Sequence, residues 1–254
     1  MLFPLSDDDR SLKKTGWVTI IFILINIAVF YYQFYVNPDF TAGYSAIPKE
    51  IMTNTDLIGS ETIQFEGQIA EIKHTPGPSP IFLTIFSAMF MHGGLLHLGS
   101  NMLFLWIFGD NVEIRFGHLR FILFYVVSGI VASLTHIMLS PESVIPSLGA
   151  SGAIAGVLGA YLVLFPRNRV NALFFIKIIS LPAWIVIGLW GGMQIFTMMM
   201  QPPGMGGGVA YSAHVGGLVA GLILGLAFRF IIDTEPNSVL YQNYAHDDKA
   251  KRLW

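Results

Sequence analysis

The sequence predicts an all-α polytopic membrane protein, six helices crossing the bilayer with both termini cytoplasmic. Three observations carry this. The first is composition: of 254 residues, 54% are hydrophobic and 12% charged, where a soluble domain carries about 25% charged residues. Mean hydropathy is +0.61. Such a chain does not hide its apolar surface in water. The second is six apolar stretches near the ~20 residues that a spanning helix needs. The third is the placing of the cations. With the N-terminus inside, eleven of the fourteen Lys and Arg fall on the cytoplasmic side, from Arg10 and Lys13 to Arg115, Arg167 and Arg252. Only Lys49 and Lys73 fall outside, and Lys177 lies near the inner end of the fifth span, as the positive-inside rule requires. A net charge of −2 gives no footprint for nucleic acid. With no cysteine, disulfides, thiolate metal sites and cysteine nucleophiles are excluded.

The spans run at about 15–36, 94–111, 119–140, 149–166, 173–200 and 212–232. The first is too long for a signal-peptide core and no small-residue cleavage site follows it, so it reads as a retained anchor. The chain thus divides into a cytoplasmic segment 1–14, a membrane domain 15–232 and a cytoplasmic tail 233–254. The only long connection, 37–80, lies outside, with room for short interfacial elements. The fourth span is short and glycine-rich. The fifth contains Pro182, which predicts a kink or a loop-like start.

Polar groups are costly inside a membrane, so each is a candidate for function. His97 and Asn101 share one face of the second span at i,i+4. The fourth span opens with Gly149-Ala150-Ser151-Gly152, and the sixth with Ala213-His214-Val215-Gly216-Gly217. His97 precedes Glu113 by 16 residues, Ser151 precedes Arg167 by 16, and His214 precedes Arg229 by 15. At 1.5 Å per residue each lies roughly 23–24 Å above an inner anchor. The three therefore share one layer, about 6–8 Å below the outer edge of a ~30 Å core.

Small residues draw two of these spans together. Gly152, Gly156 and Ala160 repeat at i,i+4 on the fourth, as do Gly217, Gly221 and Gly225 on the sixth. Such faces let backbones approach closely. His214 and Ser151 adjoin these faces, so a close crossing brings hydroxyl and imidazole together as nucleophile and base. A lone membrane serine commonly hydrogen-bonds within a bundle, and His97 with Asn101 could tie helices. The matched depth and the glycine faces favour catalysis. No Asp or Glu lies in the outer half of any span, so a dyad is expected. His136 has no motif around it and reads as structural; His74 and His118 read as solvated. The polar 201–211 stretch beside His214 reads as a mobile cap.

His92-x4-His97-x3-Asn101, Gly149-Ala150-Ser151-Gly152, Ala213-His214-x2-Gly217-x3-Gly221 and Phe108-Gly109-Asp110-Asn111-Val112-Glu113 together resemble the rhomboid family of intramembrane serine proteases, in its six-helix bacterial-type form. The resemblance covers roughly residues 80–230. It departs from many rhomboids in the first outer loop, where 37–80 holds no Trp or Arg. It implies Ser151 as nucleophile and His214 as general base. It also implies an oxyanion hole from the Ser151 N–H with the His97 and Asn101 side chains. Gly149, Gly152, Gly217 and Gly221 would then serve packing, with His92 supporting the site. The implied partners are single-pass transmembrane substrates and the lipid bilayer, with no cofactor, metal or nucleic acid, and the implied location is a bacterial cytoplasmic membrane. Two other readings compete. A catalytically silent rhomboid-like binder of membrane clients would typically lack the serine or the histidine. A metal or transport site on His92, His97, His136 and His214 would want acidic partners in the spans, and no His-Glu-x-x-His occurs.

Overall fold

In a computed structural model, residues 2–7, 15–65, 68–200 and 209–233 are described. In chain order these form β1 (Leu2–Asp7), α1 (Trp17–Tyr31, continued by a π-helical stretch Tyr32–Val36), α2 (Phe40–Tyr44) and α3 (Pro48–Thr53). Then come β2 (Gly59–Phe65), β3 (Gln68–His74), α4 (Thr84–Ala88), α5 (Leu95–Phe116), α6 (His118–Leu139) and α7 (Ser151–Leu164). Last are β4 (Arg169–Phe174), β5 (Lys177–Pro182), α8 (Ala183–Met200) and α9 (Tyr211–Asp233). Arg10, Lys13 and Lys14, most of the expected cap at 201–208, and the tail beyond Asp233 lie outside the described residues.

The molecule is mostly helical, and among the described residues four helices are long and apolar enough to cross a membrane: Trp17–Val36, His118–Leu139, Ala183–Met200 and Tyr211–Phe230. Large apolar side chains such as Leu24, Leu123, Met138, Leu189 and Met199 stand exposed along them. A water-soluble domain does not tolerate such a surface over this area. α5 has the length, but Asp110, Glu113 and Arg115 sit in its last turns. α7 has only 14 residues, a rise of ~21 Å against the ~30 Å core of a bilayer. Every residue from Gly152 to Tyr161 is buried. A helix apolar on all sides belongs at the centre of its bundle, and α7 packs against α5, α6, α8 and α9.

Two parts depart from the all-α expectation. The fifth span does not begin at 173. Residues 169–182 form an antiparallel hairpin, and the helix starts only after Pro182. The stretch reads as span because ten of its fourteen residues are apolar. Its turn also lacks the usual Asn-Gly: Phe175 takes the left-handed conformation instead, at φ +53°. β1 adds antiparallel to β4, with Leu2 opposite Phe174 and Asp7 opposite Val170. Asp7 Oδ2 then accepts the Asn111 Nδ2–H at 2.9 Å and the Tyr161 hydroxyl at 2.5 Å, which ties the sheet to α5 and α7. The 37–80 segment holds a second hairpin, with Gly59 opposite His74.

α1 has no side-chain cap of its own. The fully buried Glu113 of α5 supplies one in trans. Its carboxylate accepts the Val18 N–H at 2.9 Å, the Thr19 N–H at 2.7 Å and the Thr19 hydroxyl at 2.7 Å. Free N–H groups and the positive end of the helix dipole favour an anion there. His118 also bonds Glu113, so it is not simply solvated. His74 departs further from expectation, being 2% exposed.

The 37–80 segment packs onto the approach to α7. Ala46 and Ser147 exchange backbone bonds of 3.0 and 2.9 Å, and the Lys49 N–H donates to the Ser143 carbonyl at 3.1 Å. Glu50 is buried beneath α3, and its Oε1 accepts the Leu57 N–H at 2.9 Å. Burial, with the Asp56 carboxylate nearby, pushes Glu50 up from its ordinary 4.5 to about 7, although the Leu57 bond opposes this.

α7 and α9 cross at backbone contact. A Cβ added at Gly217 would lie 2.0 Å from the Gly152 carbonyl oxygen, and one at Gly221 would lie 1.9 Å from that of Gly156. The α7 glycines themselves point elsewhere than the repeat pattern suggests. A Cβ at Gly152 would meet Ala132 and one at Gly156 would meet Ser128, both on α6. α7 therefore turns the Cα atoms of Gly152 and Gly156 to α6 and their carbonyls to α9, while a Cβ at Gly159 would meet the α9 backbone at Leu218 and Leu222.

Two predictions follow from these contacts. Gly221→Leu forces backbones apart, and overpacking of this kind costs at least about 1–3 kcal/mol. The variant melts earlier in detergent micelles, and an unchanged melting temperature would mean that the face is not packed. For Glu50, the native state holds a proton up to about pH 7 while the unfolded chain releases it near 4.5. The stability it contributes is full below 4.5 and is lost as pH rises towards 7. Glu50→Gln flattens the melting temperature across that window. An equally sloped profile in the variant would show that the slope comes from other groups.

Candidate active site

Ser151 is the first residue of α7, and the earliest intrahelical bond there runs from the Ile154 N–H to the Ala150 carbonyl. The N–H groups of Ser151, Gly152 and Ala153 therefore have no partner one turn back. The chain reaches Ser151 through Gly149, whose N–H donates to the Ala88 carbonyl at 2.8 Å. Gly149 has φ +135°, and a Cβ there would press on the His97 ring at 2.9 Å. Both the conformation and the close approach demand glycine.

His214 lies in the first turn of α9. The glycine crossing brings its Nε2 to 2.8 Å from Ser151 Oγ. Its Nδ1 lies 2.8 Å from Oε1 of Gln194, a residue of α8 that is 4% exposed. Trp190, one turn earlier on α8, lies along the imidazole with ring centroids 5.9 Å apart and planes at 32°. Tyr211 meets the same ring edge-on.

His97 and Asn101 are on α5, on the other side of Ser151. The Gly93 N–H donates to His97 Nδ1 at 3.3 Å. A neutral ring that accepts at Nδ1 carries its proton on Nε2, and Nε2 is the atom against Gly149. His97 thus presents an N–H beside Ser151. Asn101 lies one turn along α5, and its Nδ2 is buried with no hydrogen-bond partner among the described residues. A buried donor without a partner is costly unless something transient takes its bond.

His92 is fully buried, with its ring edge 5.0 Å from His97 by centroids. Its backbone N–H donates to Gln33 Oε1 at 3.0 Å, and Gln33 Nε2 donates to the Thr41 hydroxyl at 2.9 Å. The end of α1 therefore fixes the turn before α5. His136 Nδ1 lies 2.8 Å from the Ser212 hydroxyl, joining α6 to the start of α9.

Sequence reasoning missed Gln33 and Gln194. Gln194 falls inside an apolar stretch, so the rule that nominated Asn101 also nominates it.

A serine hydroxyl and a histidine imidazole in hydrogen-bond contact are the nucleophile–base arrangement that serine hydrolases use. The family model of the Rhomboid domain matches residues 81–230, which include every one of these side chains except Gln33 and Thr41. The chain belongs to the rhomboid family. It is 28% identical over 251 residues to RHOMBOID-like protein 6, mitochondrial, of Arabidopsis thaliana, covering 88% of this chain and 71% of that one. It is 33% identical to Rhomboid protein 1, mitochondrial, of Saccharomyces cerevisiae, over 56% of this chain and 41% of the relative. It is 34% identical to Rhomboid protease GluP of Bacillus subtilis, over 56% of this chain and 25% of that one. The chain thus spans well under two thirds of the latter two. The mitochondrial names lend no support to a bacterial cytoplasmic membrane in particular, and the location stands as integral membrane protein.

Proposed function

We propose that this chain is an intramembrane serine endopeptidase that cuts single-pass transmembrane proteins near the outer membrane face. Six spans and cytoplasmic termini complete the reading. The observation that carries it is the 2.8 Å contact between Ser151 Oγ and His214 Nε2; the buried, unpartnered Nδ2 donor of Asn101 on α5 supports it.

Ser151 Oγ attacks the scissile carbonyl carbon while His214 Nε2 takes the hydroxyl proton. The carbonyl oxygen becomes an oxyanion, which the Ser151 N–H, His97 Nε2–H and Asn101 Nδ2–H receive. The C–N bond then breaks, and His214 returns its proton to the departing amine. Water, deprotonated by the same imidazole, attacks the acyl-enzyme and frees Ser151. A substrate helix has to unwind for the carbonyl to reach Ser151, so helix-breaking residues near the cut favour cleavage.

The test is cleavage of a labelled transmembrane peptide together with labelling by a serine-directed fluorophosphonate. Ser151→Ala abolishes both, His214→Ala abolishes cleavage, and each variant keeps its fold. Normal cleavage by the serine variant overturns the nucleophile assignment. A wild-type protein that binds the peptide but neither cuts it nor takes the probe is a silent client binder. For the oxyanion donors, Asn101→Ala or His97→Ala lowers kcat by about 10²–10³ and changes substrate binding less. The double variant loses less than the product, since both donors serve one oxygen. An undiminished rate per folded molecule leaves these two side chains as helix ties.

A further inference from the structure

We propose that Gln194 is the positioning residue of the Ser151–His214 pair, an uncharged third member that fixes which imidazole nitrogen carries the proton. This rests on the catalytic reading of that pair.

Three side chains from three helices form one chain of contacts. Gln194 Oε1 of α8 lies 2.8 Å from His214 Nδ1 of α9, and His214 Nε2 lies 2.8 Å from Ser151 Oγ of α7. A neutral imidazole has one N–H and one lone pair in the ring plane. To take the serine proton, Nε2 must hold the lone pair, so the N–H must be on Nδ1. A buried N–H needs an acceptor, and the Gln194 amide oxygen stands where one is required. With the amide reversed, its NH₂ would face Nδ1 and drive the proton onto Nε2. His214 would then donate to Ser151 and could not act as base. Catalysis therefore selects the orientation with Oε1 inward.

The rest of α8 supports this placement. Trp190 and Gln194 are one turn apart and share a helical face. One lies along the imidazole and the other bonds its Nδ1. Together they leave the ring little freedom to flip or swing away. The uncharged amide also suits its surroundings. A carboxylate here would be an ion within an apolar span, with a desolvation cost of its own. The amide oxygen still stabilises the imidazolium formed when Ser151 gives up its proton, by a dipole in place of a charge.

The experiment uses the full-length protein in detergent micelles and reads two quantities. In a Ser151→Ala background, ¹⁵N-histidine NMR reports the His214 tautomer without any need for turnover. Nδ1–H is expected with Gln194 present, and a mixed or Nε2–H state in Gln194→Leu. In the active protein, Gln194→Leu lowers kcat by about tenfold to a hundredfold, part of the 10²–10⁴ that a positioned base contributes, with KM little changed. Gln194→Glu, which keeps an oxygen facing Nδ1, recovers most of the loss. Wild-type kcat per folded molecule in the leucine variant overturns the proposal. So does a slow variant whose tautomer is unchanged and which the glutamate does not rescue, because a mere tie between α8 and α9 would behave that way. If Ser151→Ala still cuts substrate, the catalytic reading itself fails. If it abolishes cutting while Gln194→Leu leaves the tautomer and rate intact, only the role of Gln194 fails.

Discussion

The contact of α7 with α9 through glycine is what the site depends on. At Gly217 and Gly221 the helices meet with nothing beyond Cα on one side and carbonyl oxygens on the other. A spacing set by backbone cannot be adjusted by rotamers. It follows that the backbone separation of Ser151 and His214 is a property of two rigid helices. Side-chain packing around them keeps the helices in place but does not define the gap. α6 acts from behind, where Ala132 and Ser128 fill against Gly152 and Gly156, so α7 is held close on two sides.

Around this pair the structure supplies fixed points at each end of the helices. Glu113 caps α1 from α5, so the start of the first helix and the end of another share one buried carboxylate. Gln33 does the opposite job at the far end, holding the turn that carries His92. The 37–80 segment reaches the strand leading to Gly149 by backbone bonds at Ser147. The site residues thus stand on helix ends whose backbones are tied to one another, and a donor such as His97 meets Ser151 with its tautomer already set by Gly93. Preorganised dipoles of this kind need no reorientation as charge develops.

The candidate site was legible because each member violates its surroundings. An Asn, a Ser and two His stand out in apolar helices, and glycines repeating every four residues say which helices touch. Elsewhere the pattern gave no such contrast. Residues 169–182 are as apolar as a span, and the hairpin turns on Phe175 and Ile176, so neither composition nor turn chemistry marked it. β1 was invisible for a different reason, since six residues become a strand only when β4 offers an edge. His74 was read as solvated because burial by a distant fold of the 37–80 segment leaves no local trace. Gln194 carried the same signal as Asn101. It was overlooked because an acidic third member is the familiar pattern.

The sheet at the C-terminal end of α7 joins residues far apart in the chain: Asn171 Nδ2 donates to the Ser6 hydroxyl across 165 positions. A chain made from its N-terminus produces β1 long before its partner strand exists. During that interval the main-chain groups of β1 have only water to bond. Closing so long a loop carries an entropic cost, and it becomes small only when α1, α5 and α7 have already brought the ends near each other. The sheet thus closes at least entropic cost as a clasp over an assembled bundle. Asp7 reaches both Asn111 and Tyr161 because α5 and α7 lie side by side.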